Sequence, residues 1–297
     1  MSREHPIIAV TGASGANRGF VRGVFDAICR RETIIPAFVD GASFHRFSRR
    51  EMSARTKKEH AAGNVHFSHF GPDANLLEEQ AKLYESYGAG GTGRVRHYLH
   101  TADDAKAYGH PELKAGEFTP WTDLPAGTDC LIYEGLHGVA KAGGVSLAPH
   151  VDLKIGVVPI INLEWIQKLH RDTKVRGYSE EAVMATILNR MHDYVHYILP
   201  QFKISDINFQ HVAVVDTSDP VIARDVPVLG ERMVVIRFRK PEQFGVDFPW
   251  LMANLQGSWM SRRNTLVVPG NLTELAMEMV LTPIMRRLLE DSGRRAA

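Results

Sequence analysis

The chain has 297 residues, a formal net charge of +1 and ordinary hydrophobic (44%) and charged (23%) fractions. That length can bury a sizeable core, and the near-neutral balance excludes a chain-wide basic surface for nucleic acid or an anionic membrane. Two cysteines without metal-ligand spacing, no signal-peptide pattern and no run of about 18 apolar residues point to a cytoplasmic protein in a reducing compartment.

Pro6 to Val10 is a short apolar run that leads into the glycine-rich turn TGASGANRG. Phe20, Val21, Val24, Phe25 and Ile28 then recur at helical spacing. Strand, glycine loop and helix in that order open a βαβ unit. Ile34 to Val39 reads as the next strand, ended by Asp40 and Gly41. Residues 48–110 are polar and irregular and are expected to hold helices and an insertion, with GAGGTG at 88–93 as a flexible loop. Cys130 to Tyr133 is a buried strand ending on Glu134, and Leu153 to Ile161 is another. Asn162 is placed to cap the following helix, whose apolar positions include Leu163, Ile166 and Leu169. Ser179 with Glu180 and Glu181 starts a longer helix to about Ile198. Val212–Val215, Val234–Phe238 and Thr265–Val268 read as late strands, and Leu272 to about Leu289 as a final helix. Strands alternating with helices predict a largely parallel sheet covered on both faces, made mixed by its late strands. No repeat, low-complexity segment or linker divides residues 1–297, so a single domain is expected.

Four segments carry chemistry. A P-loop reads G-x-x-x-x-G-K-[ST] between a strand and a helix; backbone N–H groups hold phosphate oxygens, the Lys reaches the outer phosphates and the hydroxyl ligates Mg²⁺. Here the frame is Gly12, Ala13, Ser14, Gly15, Ala16, Asn17, Arg18 and Gly19. Asn17 tolerates the glycine's backbone angles, and Arg18 still donates to a phosphate. Gly19 offers no hydroxyl. Taken alone, the segment also reads as a tight strand–helix turn. The second segment, Gly41 to Phe47, follows the second strand at the edge where open α/β sheets bind ligands. In the third, Glu134 leaves a buried strand as a Mg²⁺-associated carboxylate would. In the fourth, Lys168, Arg171 and Arg176 gather cations around Asp172, either as a solvated helix end or as a phosphate clamp.

The segments FHRF (44–47), FSHF (67–70), YEGLHG (133–138), IGVVPIINLEWIQK (155–168), RD and RGY (171–178), NFQ (208–210), VVDTS (214–218), VVIRF (234–238), SWMSR (258–262) and VVPGN (267–271) resemble bacterial phosphoribulokinases over nearly the whole chain. The resemblance implies a P-loop NTPase-type three-layer α/β fold around a mostly parallel, mixed sheet. It implies ATP with Mg²⁺ as phosphoryl donor, ribulose 5-phosphate as acceptor and ribulose 1,5-bisphosphate, for CO₂ fixation in the Calvin cycle, as product. It also implies a homo-oligomer that responds to NADH and AMP. By matched position, Glu134 is the Mg²⁺-associated acid and Lys168 serves the nucleotide phosphates. His45, Arg49 and His100 contact the sugar phosphate. Arg171, Asp172 and Arg176 form the substrate and transition-state group.

The family's loop reads G-x-S-G-A-G-T-S-T, and this chain changes its last four positions to Asn17, Arg18, Gly19 and Phe20. The family already lacks the P-loop lysine and relies on the one matched by Lys168, so the loop's deficit is the hydroxyl at Gly19. The family's second motif reads G-D-x-F-H-R, and Ala42 stands where the aspartate serves as general base. A positioned base contributes about 10²–10⁴ in rate. Of the nearest substitutes, Asp40 lies two residues away along a strand, roughly 6–7 Å and too far to share one geometry, and Ser43 is not a base at neutral pH. Lost or strongly impaired phosphoryl transfer is therefore expected, with an active enzyme using Arg18, Glu134 and Lys168 as the alternative.

Overall fold

The computed structural model describes residues 4–12, 18–175, 177–223 and 225–293. Strands β1 (Ile7–Gly12), β2 (Pro36–Asp40), β3 (Cys130–Gly135), β4 (Leu153–Pro159), β5 (Ile207–Ala213), β6 (Arg232–Phe238), β7 (Trp259–Arg262) and β8 (Thr265–Pro269) form one eight-stranded sheet. Its spatial order is β7-β8-β6-β5-β4-β1-β3-β2. The five strands from β2 to β5 run parallel, and β6, β8 and β7 add antiparallel. The predicted mixed, mostly parallel sheet is what forms.

The six longer helices are α1 (Arg18–Glu32), α2 (Arg49–Ala61), α3 (Leu77–Gly90), α4 (Ile161–His170), α5 (Glu180–Asp193) and α6 (Thr273–Asp291). Side chains of β1 alternate between the two faces of the sheet, as a strand period of two requires. Ile8 and Val10 join Val24, Phe25 and Ile28 of α1 and Met277, Val280 and Leu281 of α6 on one side. Ile7 and Ala9 join Val39, Tyr133 and the α3 residues Leu83, Tyr84 and Tyr87 on the other. Both faces of β1 are buried, which is why its run is apolar rather than alternating. Among the described residues no helix is long and apolar enough to cross a membrane.

Three local expectations are corrected. Gly88 to Gly90 finish α3, and Gly91 closes it at φ 66, the left-handed cap that glycine takes without strain. The segment 88–93 is therefore a helix end and not a flexible loop. Asn162 does not cap α4; its side chain donates to the Thr217 carbonyl at 2.8 Å and ties the helix to the segment after β5. The fifth strand begins at Ile207, ahead of the expected Val212, because Ile207 and Phe209 are buried alongside polar neighbours. Ser179 does cap α5, accepting from the Ala182 amide, and the helix continues to Ile198 through a widened π turn.

Candidate active site at the carboxyl edge of the sheet

The parallel register brings the predicted edge residues side by side. Asp40 pairs with Glu134, and Glu134 with Val10, two residues before Gly12. β1 thus ends, at Gly12, beside the acid near the end of β3. Of the predicted site residues, Ala13, Ser14, Gly15, Ala16, Asn17 and Arg176 lie outside the described residues. Arg18 and Gly19 begin α1.

Beyond Asp40 the chain turns instead of extending. Gly41–Phe44 is a buried 3₁₀ turn capped by Asp40, whose Oδ1 accepts from the Ala42 amide at 2.8 Å. This corrects the strand-based separation: the Asp40 carboxylate folds back onto residue 42. The turn is fixed by close approach, since a Cβ on Gly41 would lie 2.8 Å from the Gly135 Cα and one on Gly135 would lie 2.7 Å from the Gly41 Cα. Both positions must be glycine for the ends of β2 and β3 to meet. Ala42 is 2% exposed.

The sugar-phosphate candidates come together around Tyr98. His45 Nδ1 is 3.0 Å from Asn75 Oδ1 and its ring sits edge-on to Tyr98. The His100 ring sits edge-on to Tyr98 from another side, and its Nε2 is 3.9 Å from Asp40 Oδ2. The Arg49 guanidinium donates to the His100 carbonyl at 3.1 Å.

Lys168 and Asp172 sit one helical turn apart at the end of α4, where the helix widens into the π turn Arg171–Val175. The two side chains are paired, and Arg171 Nε donates to the other Asp172 oxygen at 3.0 Å. Asp172 is 4% exposed. Burial pushes its carboxyl up, but hydrogen bonds from Lys168 and Arg171 outweigh this and hold it below the usual range. Burial and the nearby Arg190 guanidinium lower the Lys168 ammonium, against the opposing pull of Asp172.

The sequence reading missed four residues here. Glu164 stands one turn before Lys168, beside a cavity of about 30 Å³ lined by Phe70, Ile161, Lys168, Arg190 and Tyr194. Its buried Oε2 has no hydrogen-bond partner among the described residues. Burial pushes its carboxyl up to about 7, although Lys168, Arg171 and Arg190 oppose the shift. His69 is held well below the ordinary imidazole range by burial, then by His45, Arg190 and Lys168, and its ring lies 5.3 Å from that of His45. Arg96 reaches across to the 41–45 turn, donating from Nε to the Ser43 carbonyl at 3.0 Å. Gln201, 2% exposed, accepts from Thr11 Oγ1 and the Val139 amide and donates to the Leu136 and Tyr197 carbonyls. Only Glu164 left a readable signal, its spacing of four residues before Lys168 on one helix.

A parallel sheet with the central strand order 2-3-1-4-5, a helix that opens at Arg18 soon after β1 and an acid near the end of β3 define the P-loop class of small-molecule kinase fold. The model of the phosphoribulokinase / uridine kinase family matches residues 7–218, and the chain belongs to this family, on its bacterial phosphoribulokinase branch. It is 54% identical to the phosphoribulokinase of Xanthobacter flavus over 296 residues, covering 100% of each chain. It is 51% identical to phosphoribulokinase 1 of Cereibacter sphaeroides over 292 residues, 98% of this chain and 99% of the relative. Among solved structures it is similar to the phosphoribulokinase from Rhodobacter spheroides, with a TM-score of 0.89 and 49% identity over 98% of this chain and 99% of the other.

Proposed function

We propose that this chain is a phosphoribulokinase-like protein whose phosphoryl transfer from ATP to ribulose 5-phosphate is strongly impaired and whose sugar-phosphate binding is retained. The observation that carries this is the alanine at position 42: the family's base position holds a buried methyl group that cannot accept a proton. The impairment adds to the glycine at position 19, which cannot supply a hydroxyl to Mg²⁺. Against these losses, His45, Arg49 and His100 converge on one patch, and Lys168, Arg171 and Asp172 form one buried cluster. That selective pattern supports retained binding with damaged chemistry. On this reading residues 1–297 form one kinase domain in a cytoplasmic homo-oligomer.

The acid at the end of β3 suits Mg²⁺, which keeps most of its waters and needs only one or two carboxylates besides substrate phosphates. Glu134 would hold it beside the nucleotide loop, and the ion would neutralise charge on the transferring phosphates.

A coupled assay of ADP release with ATP, Mg²⁺ and ribulose 5-phosphate tests the reading. We expect turnover far below the usual range of about 1–10³ s⁻¹. Turnover within that range supports the second reading, an active enzyme relying on Arg18, Glu134 and Lys168. Calorimetry with ribulose 5-phosphate tests the retained half, and Ala42→Asp combined with restored loop residues is expected to recover transfer.

A further inference from the structure

We propose that Asp40 takes up the sugar-hydroxyl proton in this chain, with the His100 ring beside it, in place of the carboxylate missing at position 42. The proposal rests on the reading above, that the family's reaction survives in weakened form.

Three observations carry it. Asp40 ends β2 on the same edge as Glu134, its Cα partner across the sheet, so it stands where the nucleotide and sugar must meet. The 3₁₀ turn then folds its carboxylate back until Oδ1 accepts the Ala42 amide at 2.8 Å. The Asp40 carboxylate is thus held beside the backbone of residue 42, nearer than an extended strand would bring it. The second oxygen, Oδ2, faces His100 Nε2 at 3.9 Å, and the two side chains are 42% and 47% exposed. Both side chains reach solvent, whereas the Ala42 methyl is buried. His97 and Tyr108, stacked on each other at 4.0 Å, also lie within the field of Asp40.

In the step, the O–H bond at the sugar's C1 hydroxyl breaks and its proton passes to the Asp40 carboxylate. The oxygen's electron pair forms the new bond to the γ-phosphorus of ATP. The bond from that phosphorus to the β–γ bridging oxygen breaks, and its electron pair leaves with ADP. One Asp40 oxygen is committed to the turn and the other approaches from a different residue, so this base is poorly aligned and the step is slow.

Rapid-quench single turnovers with enzyme in excess over ribulose 5-phosphate test this on the full chain and on Asp40→Asn, Asp40→Glu, Ala42→Asp and the Asp40→Asn/Ala42→Asp pair. Asn keeps an oxygen to cap the turn and loses the base. We expect Asp40→Asn to lower the transfer rate at least about tenfold, with the ribulose 5-phosphate dissociation constant held within about twofold. Asp40→Glu retains part of the rate. With Ala42→Asp present, Asp40→Asn changes the rate less than about threefold, because the restored base makes Asp40 redundant. Equal rates for the unmutated chain and Asp40→Asn overturn the proposal. So does equal loss in the Asn and Glu variants with a matching fall in melting temperature, which would leave Asp40 a turn cap. No transfer at all by the unmutated chain, with transfer by Ala42→Asp, also overturns it while leaving the functional reading intact. No ribulose 5-phosphate binding by the unmutated chain and no transfer by Ala42→Asp overturns that reading itself, and this proposal with it.

Discussion

The guanidinium of Arg96 donates to the backbone carbonyl of His45 at 2.6 Å. Its Nε takes the Ser43 carbonyl, and its plane lies 3.7 Å from the centroid of the Phe118 ring. One side chain from outside the sheet therefore holds both ends of the segment that follows the missing base. Hydrogen bonds from a charged donor contribute about 1.5–3 kcal/mol each, and a cation–π contact about 0.5–2.

Arg96→Ala is expected to cost about 2–4 kcal/mol in urea unfolding and to weaken ribulose 5-phosphate binding, since His45 loses its anchor. Arg96→Lys should recover little of either, because an ammonium cannot span two carbonyls in a fixed fork while stacking on an aromatic ring. A Lys variant as stable as the parent would show that charge alone, not the fork, holds the turn.

Gln201 is the corresponding tie on the other side of Glu134. It bridges Thr11 at the end of β1 to the Leu136 and Val139 backbone after β3. Gln201→Leu fills the volume and strands at least two buried polar groups, each worth about 1–3 kcal/mol. A fall in unfolding free energy of about 3–5 kcal/mol is expected, with m unchanged. A neutral result would mean that water replaces the amide.

How much of this was legible beforehand follows from the range of each signal. The sheet and the α4 cluster were readable because they rest on local periodicity and on motifs within a few residues. Asp172, Lys168 and Arg171 were found together because four residues make one helical turn. Arg96 and Gln201 were not, because their partners lie far off in sequence, 51 and 53 residues away for Arg96 and 62 and 190 for Gln201. The Asp40 geometry was misjudged for a different reason. Extended spacing from Asp40 to residue 42 does not hold, because the contact of Gly41 with Gly135 forces a turn.

Asp172 is predicted to be more than a partner for one lysine. Asp172→Asn leaves Lys168 and Arg171 facing Arg190 with the compensating charge gone. Breaking a buried pair by removing one partner costs about 3–5 kcal/mol. We expect a loss near the lower end of that range in urea unfolding, because the Lys168 and Arg171 side chains are 14% and 23% exposed. An unchanged unfolding midpoint would show that the cations already find other acceptors.

Glu164 provides a test by pH. Its carboxyl is raised to about 7 by burial, from an ordinary value of 4.5. Between those values the folded chain binds more protons at this site than the unfolded chain, so this site's contribution to stability falls as pH rises from about 4.5 to about 7 and is level above. The span corresponds to about 3 kcal/mol. His137 and His211 act in the opposite sense, since burial lowers both to about 4 and the unfolded chain binds the extra protons from about pH 4 to 6.5. Their contribution to stability therefore rises with pH over that window and masks the slope from Glu164 in the unmutated chain. The difference between the parent and Glu164→Gln isolates it. Glu164→Gln is expected to match the parent near pH 4.5 and to exceed it by up to about 3 kcal/mol at pH 8 in urea titrations. A difference that does not vary between pH 5 and 8 would place the ionisation of Glu164 at its ordinary value. The carboxylate would then be compensated by the cations of α4 and α5 rather than kept neutral by its burial.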